Sequence, residues 1–261
     1  MNSRSHVGAV KAGCDDLRKW TGDLHSPLTG GGIREAAVVD TACVSTESRP
    51  LALPRAARAR VDALLGTGQR RLLGLVGPPG AGKSTLAQVL QDAYPELAQV
   101  VPMDGFHLAN TELQRLGRAN RKGAPDTFDS AGYVELLRRL RRQRRADGSV
   151  YAPLFRRDLE EPLAGAIAVL PATRLVITEG NYLLDSEDGW APVAALLDQT
   201  WYVGGNDALR VQRLLRRHEA FGRTPAQARD WVAQTDEPNA RRIAAARARA
   251  SWLFSWDEPG A

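Results

Sequence analysis

The chain has 261 residues, of which 43% are hydrophobic and 25% charged. This is ordinary globular composition and excludes collagen-like, coiled-coil and wholly disordered chains. Its net charge of +5 suits a phosphate-bearing partner, but it also suits a solvated arginine-rich surface, so charge by itself names no function.

Residues 1–54 show no sustained period of 2 or 3.6, contain Gly30-Gly31-Gly32, and have acidic and basic residues that cancel. They are expected to form a disordered tail ahead of one domain over 55–261. Both cysteines, Cys14 and Cys43, fall in this stretch without CxxC spacing. That argues against a zinc site or a disulfide scaffold and fits a reducing cytoplasm. No apolar run approaches the ~20 residues that span a bilayer, and the first thirty residues lack the apolar core of a secretory signal. A cytoplasmic protein with no membrane partner is therefore expected.

From Arg55 the pattern becomes regular. Residues 55–65 predict a helix and 72–76 a buried strand; 83–93 predict a helix and 99–102 a second strand. A helix follows over 130–145, then strands over 166–170, 174–178 and 200–203. Helices over 207–221, 225–232 and 238–250 complete the series, the last two opened by Pro225 and Pro238 in the first turn. Strands alternating with helices predict an α/β fold with a mostly parallel sheet covered on both faces.

The strongest chemical signal is Gly77-Pro78-Pro79-Gly80-Ala81-Gly82-Lys83-Ser84-Thr85, a full GxxxxGK[ST] match between a strand and a helix. Glycines let backbone N–H groups turn inward around phosphate oxygens, and the following helix presents its positive end to the same anion. Lys83 is expected to reach the β- and γ-phosphates of ATP, and Ser84 to offer its hydroxyl to Mg²⁺. Two acids fall at strand ends. Asp104, in Met103-Asp104-Gly105-Phe106-His107, sits where a base for an attacking hydroxyl would sit, but Asp-Gly is also a common idle turn. Glu179 ends the strand Leu175-Val176-Ile177-Thr178, where a carboxylate can hold a metal shell.

Five segments stand in one order: GPPGAGKST at 77–85, MDGFH at 103–107, RKGAPDTFD at 121–129, VYAPLFRRDLEEP at 150–162 and VITEGNYLL at 176–184. Together they resemble the phosphoribulokinase/uridine kinase family of P-loop kinases, which includes bacterial type I pantothenate kinases. The closest branch is that of bacterial nucleoside/nucleotide-kinase-like and fructose transport system kinase-like proteins. The resemblance covers about residues 70–250. It implies a P-loop NTPase three-layer α/β/α fold with a helical lid, and an ATP-dependent, Mg²⁺-dependent transfer to a hydroxyl of a small-molecule acceptor. It makes Asp104 the expected base and Glu179 an expected metal residue. It brings Arg121 and Lys122 near the acceptor, and makes His107 a candidate for acceptor selection, against a packing role. In the helix over 207–221 it implies lid arginines on the phosphates. Arg213 and Arg217 lie four apart and share a face.

Residues 138–145 contain six arginines in eight positions. Val134, Leu137 and Leu140 mark an apolar stripe, and no aromatics interleave as on a base-stacking platform. A solvated helix face is expected there, not a nucleic-acid interface. The rival from another class is an NTP-gated regulatory or nucleic-acid-binding module without metabolite kinase activity. The pattern determines neither the acceptor nor the oligomeric state, and a homodimer is compatible with it.

Overall fold

The computed structural model describes residues 51–256. The tail expected over 1–54 lies outside the described residues except for its last four, which lead without regular structure into the first helix.

A five-stranded, wholly parallel sheet forms the middle layer, in the order β2-β5-β1-β6-β7. Its strands are β1 (Arg71–Val76), β2 (Ala98–Pro102), β5 (Leu175–Gly180), β6 (Gln199–Gly204) and β7 (Trp252–Ser255). Side chains alternate across β1: Leu72 and Val76 enter one core and Leu73 and Leu75 the other. The second of these cores is closed by α1 (Arg55–Gly66) and α2 (Lys83–Ala93). In α1, Ala57, Val61, Leu64 and Leu65 are buried at helical spacing. The first core is closed by α4 (Ser130–Arg142), α5 (Pro192–Ala195) and α8 (Glu237–Ala245). The short α3 (Asn110–Arg115) belongs to the loop that follows β2. The three-layer expectation therefore holds. β5 is buried along its whole length because both faces of the sheet are covered, Val176 entering one core and Leu175 and Ile177 the other, which is why Leu175-Val176-Ile177 lacks alternation.

Three expectations need correction. The strand expected at 166–170 is the end of β4 (Glu161–Val169), which pairs antiparallel with β3 (Val150–Arg156) in a separate hairpin outside the main sheet. Pro238 does not open a new helix. The chain stays helical from α7 (Pro225–Trp231) through a π-helical stretch at Val232–Asp236 into α8. The wider turn accommodates a residue with no N–H to donate. That helix also ends at Ala245, so the last segment is free to add β7 beside β6. Among the described residues no helix is long and apolar enough to cross a membrane.

Candidate active site

Parallel strands place their carboxyl ends on one edge, and the phosphate loop, Asp104, Glu179 and the β3–β4 hairpin tip line one cleft there. The phosphate-binding loop joins β1 to α2. Gly82 caps α2 at φ +90°, a left-handed conformation that a side chain would strain. Lys83 is buried. Its Nζ donates to the carbonyls of Gly77 (2.8 Å) and Pro78 (3.1 Å) and to Asn181 Oδ1 (2.9 Å). Burial pulls the Lys83 ammonium below its ordinary value, opposed by the charges of Glu179 and Asp104.

Glu179 ends β5 and is also buried. Ser84 Oγ donates to its Oε1 at 2.9 Å. Burial raises the Glu179 carboxyl, and Asp104 raises it further, against Lys83 and the Ser84 hydrogen bond. A buried carboxylate with a hydroxyl beside it at the mouth of a phosphate loop is a hard-oxygen donor pair. It fits Mg²⁺, which takes one or two protein ligands and fills its remaining positions with phosphate and water. No cluster of three or more metal-ligating side chains occurs among the described residues, and such a cation needs none.

Asp104 stands in a 3-10 turn, Met103–Phe106, that follows β2 directly. Its carboxylate is not tied up in the turn: the one partner for its oxygens among the described residues is Arg157 Nη2, at 3.4 Å from Oδ2. Gly105 is required by packing, since a Cβ there would lie 2.3 Å from the Pro153 carbonyl oxygen of β3. Gly105→Ala is expected to cost about 1–3 kcal/mol by overpacking. The melting temperature should fall by roughly 2–4 °C per kcal/mol, read by circular dichroism.

His107 lies between the rings of Phe128 (4.0 Å) and Phe155 (4.6 Å) while Nδ1–H donates to the Asp104 carbonyl at 2.7 Å. Burial lowers its pKa, against the raising influence of Asp104. It both packs and faces the cleft. Lys122 lies 5.1 Å from the Phe155 ring centroid, and its Nζ donates to Asn110 Oδ1 at 2.6 Å and to the Glu160 carbonyl. Arg121 is not a cleft residue. It pairs with Asp126 at 2.5 Å on an exposed loop.

These groups line a cleft of about 590 Å³ that contains Lys83, Ser84, Thr85, Asp104, His107, Lys122 and Glu179. Its roof is the lid region made by α6 (Asp207–Ala220) and α7, and here the arginines of α6 separate. Arg210 is tied to Asp207 (2.8 Å) and Glu237 (2.7 Å) and lies under the phosphate loop at Pro79. Arg213 and Arg217 line the cleft, and Arg216 does not. Among the described residues Arg217 has no hydrogen-bond or ion-pair partner. Burial lowers its pKa, and the like charge of Arg157 adds to this. Arg157, at the tip of the β3–β4 hairpin, was not a sequence candidate, although it lies inside the 150–162 segment. The same is true of Asn181, directly after Glu179-Gly180, and of the lid residues His218, Arg223, Trp231 and Asp236.

The chain is similar to known proteins. The chain is 35% identical over 172 residues to "Putative uridine kinase C227.14" of Schizosaccharomyces pombe, covering 62% of this chain and 72% of the relative. It is 32% identical over 238 residues to "Uncharacterized protein YggC" of Escherichia coli, covering 89% and 96%. Among solved structures it superimposes on a "putative fructose transport system kinase" from Silicibacter sp. TM1040 with a TM-score of 0.67. The two are 37% identical, and the match covers 75% of this chain and 98% of that one. No family model matches the chain.

Proposed function

The chain belongs to the phosphoribulokinase/uridine kinase family of P-loop kinases, and we propose that it transfers the γ-phosphoryl group of ATP to a hydroxyl of a small metabolite. The observation that carries this reading is the carboxylate of Asp104, uncommitted in its own turn and electrostatically coupled to both Lys83 and Glu179 across one cleft. An idle turn aspartate would have spent its oxygens on nearby backbone N–H groups.

In this reading the phosphates of ATP lie along the loop from Gly77 to Thr85. Lys83 turns from the loop carbonyls to the β- and γ-phosphates. Mg²⁺, held by Ser84 and Glu179, would supply charge neutralisation at the β- and γ-oxygens. Asp104 accepts the proton of the acceptor hydroxyl as its oxygen forms a bond to the γ-phosphorus. The bond from that phosphorus to the β-bridging oxygen breaks, and ADP leaves. Arg213 and Arg217 stabilise the charge spread over the transferred group, and the lid excludes water that would otherwise hydrolyse ATP. A second cleft of about 470 Å³ lies on the other flank of the loop, lined by Pro78, Ala81, Tyr202, Arg247 and Trp256. Arg213 lines both clefts, which supports the second as the place for the nucleoside of ATP.

The test is ADP release by the purified protein across nucleosides, sugars, pantothenate and other small alcohols. Release that depends on one acceptor and on Mg²⁺ is expected. Acceptor-independent hydrolysis, together with steeply salt-dependent binding to DNA or RNA, would favour the regulatory reading instead.

A further inference from the structure

Two adjacent arginines stand where β3 runs into its turn, and they are engaged differently. Arg156 is exposed, pairs with Asp158 at 2.6 Å and does not line the cleft. Arg157 lines the cleft, and its Nη2 lies 3.4 Å from Asp104 Oδ2. That distance is long for a charge-assisted bond. Among the described residues Arg157 has no other hydrogen-bond or ion-pair partner.

The hairpin that bears Arg157 is fastened on both sides of it. Before the turn, Pro153 packs against the Asp104 turn at Gly105, and the Phe155 ring lies 4.6 Å from that of His107. After it, the Glu160 carbonyl accepts from Lys122 Nζ and from Asn110 Nδ2 (3.2 Å), and Glu161 Oε1 accepts from the Asn110 N–H (2.9 Å). The backbone carrying Arg157 is therefore held, while its guanidinium is weakly engaged and free to exchange partners.

The place of Asp104 in the reaction says which partner it meets next. A base takes a hydroxyl proton from about 2.6–3.2 Å, so the attacking oxygen lies against the Asp104 carboxylate. The γ-phosphorus lies a further ~3–3.5 Å along the line of attack. A guanidinium beside Asp104 is thus one side-chain swing from the phosphoryl oxygens. Its charge also acts on Lys83, Glu179 and Arg217, the groups assigned to the phosphates and their metal. The transfer itself releases it. As the hydroxyl oxygen bonds to the γ-phosphorus, its proton passes to Asp104 and the bond to the β-bridging oxygen breaks. Asp104 becomes neutral, and Arg157 loses its counter-charge while anionic phosphoryl oxygens stand nearby. A guanidinium only donates, and it suits such oxygens in pairs.

Resting on the kinase reading above, we propose that Arg157 is a catalytic residue, which pairs with Asp104 in the free protein and donates to the transferred phosphoryl group during transfer. The hairpin then supplies one arginine to the reacting group and the lid supplies the others.

The test uses ADP, Mg²⁺ and aluminium fluoride, an inorganic stand-in for the phosphoryl group in transit, with no acceptor. In wild type, aluminium fluoride should tighten ADP binding by about 10²-fold or more. Arg157→Ala should lose roughly tenfold to a hundredfold of that tightening, as expected for a hydrogen bond to a charged group, and keep its affinity for ADP alone. Arg157→Gln, polar and uncharged, should behave alike and guards against a folding defect in the first variant. Arg156→Ala should match wild type. Equal tightening in wild type and Arg157→Ala, or tightening in neither, overturns the proposal. So does an equal loss in Arg156→Ala, which would be an effect of net charge. With no acceptor present, these outcomes are separate from the kinase reading, which stands or falls on acceptor-dependent ADP release. Where that release is found, Arg157→Ala should lower kcat by about 10²–10³-fold, with the acceptor KM near its wild-type value. A raised acceptor KM at unchanged kcat would place Arg157 on the acceptor instead and overturn the proposal.

Discussion

Asp104→Asn is expected to lower acceptor-dependent kcat by about 10²–10⁴-fold, the range for loss of a positioned general base. The amide keeps the size of the side chain and cannot take the hydroxyl proton. The fold should tolerate the change. Asp104 makes one long contact, to Arg157 at 3.4 Å, and no side-chain bond to its own turn among the described residues. ATP affinity should change little, since Lys83, Ser84 and Glu179 stand across the cleft on other elements. Removing the negative charge beside Glu179 should ease that carboxyl back toward its ordinary value, because Asp104 is one of the causes raising it. The measurement is kcat with the best acceptor, alongside an ATP dissociation constant, for wild type and variant. A kcat within threefold of wild type would remove Asp104 from the mechanism.

Lys83→Ala should abolish measurable turnover and weaken ATP binding. Lys83 is the buried cation of the phosphate loop, and its three donors are held by Gly77, Pro78 and Asn181 until phosphate replaces them. Losing two charge-assisted bonds of about 1.5–3 kcal/mol each corresponds to roughly 10²–10⁴ in rate. Arg217 does not compensate, because it approaches from the lid on α6. Single-turnover kinetics at limiting ATP separate this outcome from a folding defect, which a melting curve on the same sample reads directly. Near-normal turnover would refute the assignment of the loop.

Local chemistry determined much of this protein. The phosphate loop, the buried strands at 72–76 and 174–178, and the acids that end two strands were legible because each depends on neighbours in sequence. Glycine backbone freedom, an unbroken apolar run and a turn after a strand all act within a few residues. The order of five segments extended that local information to a family and its fold. What stayed hidden depends on direction. The spacing of Arg210, Arg213 and Arg217 shows a basic helix, but only packing against Glu237 and the phosphate loop commits Arg210 to structure, while Arg217 faces the cleft. Arg121 and Lys122 are adjacent in sequence, yet one turns to Asp126 and the other to the cleft. The hairpin is not legible in the sequence because β4 is largely exposed and contains Gly165 at φ +68°, so it lacks the buried alternation that identifies a strand. Hydrogen bonds from Arg223 to His218 and between His218 and Asp236 join α6 to the π-helical stretch, and no periodicity records which side chains meet across two helices. Sequence patterns register whether a residue is buried; which neighbour it meets there is decided by how the elements pack.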